Sequence, residues 1–274
     1  MLIKGLSLPP EIIDMIIDEA EYWPCTETSI EFSSATRPRI NGNGTENLLL
    51  IRSPPIGFTQ ADVQATEEWR TTPPSDSPSN EPISPEHFKA HLRAIPLLDR
   101  PVRKVVFKIR SRDQAWGGAR EHHHTFHGSW TWFEAGLERF ETPNGDDQQN
   151  ITRPFDAAAL RPVYPTGEVV TRPNGETKIN YPLNPCEMHT IQRNRTAARE
   201  MVDYEVTWRA TDDINPESPE ADRLDDMGRG KASGTGEFVR NLRLGDVVSV
   251  WGMARFLGWA NNVEKASVQV YWAL

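Results

Sequence analysis

Residues 249–274 read SVWGMARFLGWANNVEKASVQVYWAL, two apolar segments joined by a Gly-Trp-Ala-Asn-Asn turn. Val248, Val250 and Gly252 alternate with Ser249, Trp251 and Met253, and Val268, Val270 and Trp272 alternate with Gln269 and Tyr271. Such a period of two, in Val, Trp and Tyr, sends successive side chains to opposite faces and marks β-strands with a buried side. Residues 102–110, 130–139 and 204–211 have the same character. Val105, Phe107 and Ile109 share one face of the first, and Tyr204, Val206 and Trp208 one face of the last. Trp130, Thr131, Trp132 and Phe133 are bulky on both sides, which predicts a strand covered on both faces. The expected class is mainly β: a β-sandwich of jelly-roll or galactose-binding-like layout, with an N-terminal helix and long irregular loops.

The chain has 274 residues, enough to bury a core without staples, and its 22 Pro and 18 Gly suit irregular connections between short strands. Seven of the nine Trp fall from Trp116 onward, so the dense core is expected in the second half. The expected organisation is a helix over residues 1–24 packed on the main body, then a strand, a Pro/Ser-rich mobile loop and a short helix over 25–100. The sandwich follows over 101–274. A net charge of −9 argues against a nucleic-acid surface, because phosphate binding draws on basic patches. The basic stripe Arg100, Arg103, Lys104, Lys108, Arg110 and Arg112 reads as a solvated strand face. Cys25 and Cys186 are too few and too far apart for a disulfide framework or a thiolate zinc site. No run of 18 apolar residues occurs and MLIKGLSLPPEII lacks a signal-length apolar core, so no membrane association and an intracellular, cytoplasmic or nuclear location are expected.

Along the chain, Ile12, Ile13, Ile16, Ile17 and Ala20 form one stripe of a helix over 8–23, capped by Ser7, opened by Pro9 and Pro10 and stopped by Pro24. Residues 53–85, with TTPPSDSPSNEPISP, predict a mobile loop, in which Ser75 and Ser77 are conceivable phosphorylation positions. Residues 86–94 predict a short helix. Segments 169–172 and 177–181 flank Pro173-Asn174-Gly175-Glu176, a hairpin signal. An acidic surface loop is expected over 212–233 and a strand over 236–242.

For chemistry the residues offer little that is specific. There is no nucleophile elbow, phosphate loop or dinucleotide fingerprint, so no catalytic residue and no cofactor is expected. His122, His123, His124 and His127 are the most conspicuous cluster, and an enzyme or metal protein using them is the alternative reading. Neighbouring residues on an extended chain point apart, which favours a solvated loop. A ligand-binding rim needs less. Trp116 and Trp259 both lie in turns, beside Asp113 and Gln114 in one case and Asn261 and Asn262 in the other, with Arg255, Arg193 or Asn194 as rim residues. An aromatic face with fixed polar groups holds a sugar by stacking its CH groups and pairing its hydroxyls. The blander reading is that Asp113 and Asn261 hold their own turns.

Two resemblances add to this. LPPEIIDMIIDEAEYW, residues 8–23, resembles the opening of an F-box, whose Leu-Pro and following Ile positions contact the Skp1-type adaptor of ubiquitin ligases. That resemblance implies adaptor contacts for Leu8, Pro9, Ile12, Ile13 and Ile16. The segments SRDQAWGG (111–118), GSWTWFEAGL (128–137), QRNRTA (192–197) and 242–274 together resemble a group of fungal proteins with an F-box-like N-terminal helix and a Trp-rich C-terminal β-domain. In layout the chain is similar to the jelly-roll substrate-recognition domains of F-box proteins. The resemblance implies a non-catalytic substrate receptor of an SCF-type ubiquitin ligase that binds a glycan or protein ligand.

Overall fold

A computed structural model describes residues 9–44, 46–63, 67–72, 82–92, 96, 98–141, 155–171, 175 and 177–274. Its strands are β1 (Cys25–Glu31), β2 (Arg39–Asn41), β3 (Asn47–Arg52), β4 (Val102–Arg112), β5 (Thr131–Phe140), β6 (Leu160–Tyr164), β7 (Glu168–Thr171), β8 (Thr177–Asn180), β9 (Thr190–Arg193), β10 (Val202–Arg209), β11 (Val247–Ala254) and β12 (Ala260–Trp272). One sheet has the order β1-β12-β4-β10, with β2 also on β12. The other has the order β3-β11-β5, and β6 and β9 divide the far edge of β5 between them. Both are antiparallel throughout.

The pairs β1–β12, β3–β11, β4–β10 and β5–β9 nest first with last, as when one long hairpin is rolled into two facing sheets. This is a β-sandwich with jelly-roll connectivity. The segment 25–52 supplies β1, β2 and β3, so the sandwich takes in strands from both sides of residue 100.

Inward-facing side chains account for the packing. Val105, Phe107 and Ile109 of β4, Val206 and Trp208 of β10 and Val268 and Val270 of β12 meet Leu50 of β3, Phe133 and Ala135 of β5 and Val248 and Val250 of β11. Each such side chain contributes ~1.5–3 kcal/mol on leaving water. The outer face of the β3-β11-β5 sheet is covered too, which leaves β5 and β11 buried on both sides, as the Trp-Thr-Trp-Phe pattern predicts. There Trp251 crosses β5 at Gly136, where a Cβ would come within 2.6 Å of the indole nitrogen.

The outer face of the other sheet carries charge. Arg103, Lys104, Lys108 and Arg110 of β4 lie against Asp18, Glu21, Glu205, Asp203 and Glu264, so the basic stripe is largely neutralised by carboxylates of the same chain.

The helices are short: α1 (Pro10–Glu19), α2 (Gln60–Val63), α3 (Glu67–Thr71), α4 (Pro85–Lys89), α5 (Pro219–Asp226) and α6 (Glu237–Asn241). Three expectations change here. Residues 53–72 of the expected mobile loop pack where described, because Ile56, Phe58, Val63 and Trp69 each bury an apolar anchor that a Pro-rich average conceals. Ser75 and Ser77 lie outside the described residues. The expected strand 236–242 is α6, entered through left-handed Gly236 and buried through Phe238 and Val239. The expected loop 212–233 contains α5, capped by the Ser218 side chain and opened by Pro219, with Ala221 and Leu224 buried.

The N-terminal helix also differs from expectation. Leu8 and its proposed cap Ser7 lie outside the described residues. Within α1 and just after it, the acidic side chains make the contacts with the sandwich. Asp18 accepts from Arg103 and from the Trp23 indole, and Glu21 pairs with Lys104 and Arg209. The isoleucine stripe lies outside the buried clusters of the main body. Ile12, Ile13, Ile16 and Ile17 remain 37–52% exposed.

Candidate functional site at one end of the sandwich

Two turns meet where β4 ends and β12 begins. In the 113–118 turn the Asp113 carboxylate is fully buried and accepts from the backbone N–H of Ala115 (2.7 Å) and of Ala197. It thereby holds two separate loops, and both donors sit at left-handed, non-Gly positions, φ 72° and 56°. Desolvation pushes the Asp113 pKa up, opposed by the backbone N–H donors of Ala115, Ala197 and Ala198. Gln114 accepts from the Ala260 N–H (3.1 Å), and Asn262 donates to the Asp113 carbonyl (2.9 Å), so the first turn is stitched to the start of β12.

The two tryptophans interlock across this seam. Trp116 lies against Gly258, whose added Cβ would stand 3.1 Å from Cη2, and Trp259 lies 3.6 Å from the corresponding position on Gly118. Trp116 and Trp259 are therefore brought to the same end of the sandwich. Trp116 is 60% exposed, whereas Trp259 is half-buried.

The remaining expected rim residues turn inward. Asn261 is buried; its amide donates to the carbonyls of Trp132 and Met253, and its oxygen accepts from Asn194, which also meets Ser111 and Thr131. Arg255 is buried too, spending its guanidinium on the carbonyls of Pro182, Glu46 and Ala254 and lying over the Trp132 ring. Asp113, Asn261 and Arg255 are thus saturated by the protein itself, which corrects their placement as ligand contacts. Unpaired polar groups cannot stay buried, so short polar residues beside a tight turn are drawn into holding it. Arg193 is ion-paired with Asp225 (2.6 Å), and Asn194 is fully buried.

A shallow groove of about 720 Å³ runs beside Trp116, bounded by His123, His124, Arg195, Arg199 and Glu200. The 119–129 and 194–200 segments that form its walls are tied together by main chain. His124 N–H donates to the Thr196 carbonyl, Thr196 N–H to Thr125, and the Thr196 hydroxyl to His127. His124 is also left-handed, φ 64°. Three strained positions, Ala115, His124 and Ala197, therefore border one groove. Such conformations persist only where surrounding bonds over-determine them, and they concentrate at binding sites.

Arg195 and Arg199 escaped the sequence reading. The available signal was Arg193-Asn194-Arg195 and Arg199 closely spaced beside the Trp116-bearing segment in the fold, which spacing along the chain does not reveal.

The histidine cluster does not converge. The rings of His122 and His127 are 6.1 Å apart and those of His123 and His124 6.4 Å, while His127 Nε2 faces Asp226 at 3.4 Å. Among the described residues, no three His, Cys, Asp or Glu side chains are placed to hold a metal ion. A separate buried set lies under β5. Glu134 accepts from Trp132, Tyr164 and the Cys186 N–H, and Tyr164 stacks on His189 at 3.7 Å. Burial pushes the Glu134 pKa up and holds His189 down at about 4.

Among the described residues, no helix is long and apolar enough to cross a membrane. No protein-family model matches the chain, and no curated protein matches it.

Proposed function

We propose that this protein is a non-catalytic recognition protein that binds a saccharide-bearing ligand in the Trp116 groove and presents α1 to a Skp1-type adaptor, as a substrate receptor does. The observation that carries the reading is Trp116. A large indole is 60% exposed beside the groove, on a turn whose Asp113 and Gln114 side chains are spent on main-chain bonds that fix it. A preorganised aromatic face of this kind stacks on a sugar ring with little loss of side-chain freedom.

The adaptor half rests on the exposed stripe of Ile12, Ile13 and Ile16 beside an apolar hollow of about 730 Å³ lined by Ile17, Tyr22, Trp23, Leu98 and Leu274. Since β1 to β3 follow α1 directly, the adaptor would be gripped by one helix together with this hollow. The two surfaces lie at opposite ends of β4, because Arg103 and Lys104 hold α1 while Arg112 and Asp113 lead into the groove.

The test pairs a broad saccharide panel with pull-down on a Skp1-type adaptor. Trp116→Ala is expected to abolish saccharide capture and leave adaptor capture intact, and Ile13→Asp to do the reverse. Loss of neither signal on substitution, or no signal above background from the wild type, overturns the reading.

A further inference from the structure

The groove has an electrostatic character that the chain as a whole lacks. In a protein of net charge −9, many basic side chains of the two sheets and their edges are matched to carboxylates: Arg37, Arg103, Arg110, Arg193 and Arg209 each lie within ion-pair distance of an Asp or Glu. Arg195 and Arg199 are exposed at the groove and enter no ion pair among the described residues. Arg195 is laid over the Phe126 ring, 5.5 Å from its centroid, which fixes the direction of its guanidinium without using its donors. Beside them stand two imidazoles, His123 and His124, against one carboxylate, Glu200.

Guanidinium groups present planar forks that match an oxyanion with two parallel hydrogen bonds, and they do so at a smaller desolvation cost than an ammonium. An aromatic platform alone accepts any ring. A platform flanked by two uncommitted forks selects a ring that bears negative charge.

We propose that the groove takes an acidic saccharide, a sugar ring stacked on Trp116 with its carboxylate or ester sulfate held across Arg195 and Arg199. The inference rests on the saccharide-binding reading of the groove and narrows it to one ligand class. A neutral sugar could accept hydrogen bonds from the forks but would leave both positive charges uncompensated. Recognition of an acidic one supplies the counter-charges that the rest of the surface has already found within the chain.

The experiment uses the full chain and a panel of uronate- and sialate-terminated oligosaccharides, the same compounds as carboxyl methyl esters, sulfated oligosaccharides, and their neutral parents. Acidic members are expected to bind at least tenfold more tightly than esters or neutral parents, and the carboxylate and sulfate arms show which oxyanion is preferred. Arg199→Ala, whose side chain props no other loop, is expected to bring the acidic members down to the level of the neutral ones. Arg199→Lys is expected to recover part of the difference, with circular dichroism unchanged in both variants. Equal binding of acidic and neutral members overturns this inference and leaves the groove reading standing. Absence of binding to every saccharide overturns both.

Discussion

Trp116 and Gly258 lie close across the seam between two turns, and a side chain on the glycine would be crowded and strained: an added Cβ would lie 3.1 Å from the indole, at a residue with φ 92°. Gly258→Ala is expected to cost ~1 kcal/mol through backbone strain and to tilt Trp116 away from the groove. Acrylamide quenching of tryptophan fluorescence, alongside saccharide capture, checks this. Capture at wild-type strength, with quenching unchanged, would show that the contact does not set the indole.

Asp113 is the post on which the groove is built. Asp113→Ala orphans buried N–H groups on two loops and is expected to destabilise the protein by ~2–4 kcal/mol, with Asp113→Asn intermediate. Urea denaturation measures the loss. A variant as stable as wild type would mean that the two loops hold their left-handed turns without the carboxylate.

The Arg52–Glu138 pair is fully buried, with nitrogen and oxygen 2.8 Å apart and a further bond from Arg52 to the Trp69 carbonyl. Removing Arg52 alone strands a buried carboxylate whose pKa desolvation already pushes up, and is expected to cost ~3–5 kcal/mol. Replacing both, Arg52→Met with Glu138→Leu, is expected to cost far less or to stabilise. Equal losses from the Arg52 single variant and the double variant would show that the stranded carboxylate carries no penalty of its own.

His189 gives the pH dependence a sign. Its folded pKa, about 4, lies below the ordinary 6.5, because burial against Tyr164 and Phe238 disfavours the cation. The stability tied to its neutral form is whole above pH 6.5 and is lost as pH falls toward 4, by ~3 kcal/mol in all. His189→Gln removes that slope, so the difference in melting temperature between wild type and variant should shrink on acidification through this window. A constant difference from pH 7 to pH 4 contradicts the assignment.

Ile12→Asp and Ile13→Asp test whether α1 is part of the core. With both side chains some 40% exposed, each change is expected to stay within ~0.5 kcal/mol, against the ~3–5 kcal/mol expected of Phe107→Ala inside the sandwich. A core-sized loss at Ile13 would show that the isoleucine face of the helix is part of the core.

What the sequence discloses follows from what alternation can encode. β4, β10, β11 and β12 are legible because each has one face of Val, Ile, Phe or Trp, and the doubly covered β5 because it has two. β1 was legible in principle, since Thr26, Thr28 and Ile30 point inward between exposed Cys25, Glu27 and Ser29, but threonines do not register as a buried face. α6 failed because five residues give no helical period and Phe238-Val239 reads equally as strand. In the site, the turn chemistry around Trp116 and Trp259 is legible in the sequence, but that the two turns share one end is not, because β4 and β12 become neighbours only on folding. The inward turn of Asp113, Asn261 and Arg255 is not legible either, because residue type states what a side chain can bond and leaves open where it points. Arg195 and Arg199 acquire meaning only once folding sets them at the groove beside Trp116, where neither enters an ion pair among the described residues.

β4 is a single eleven-residue strand with a hydrogen-bonded neighbour on each side, tied to α1 at its first residues and to the groove at its last. A paired strand neither stretches nor coils, so its span of roughly 30 Å works as a spacer of set length. A ligand held beside the indole would therefore be presented at a fixed distance and heading from a partner bound at the isoleucines.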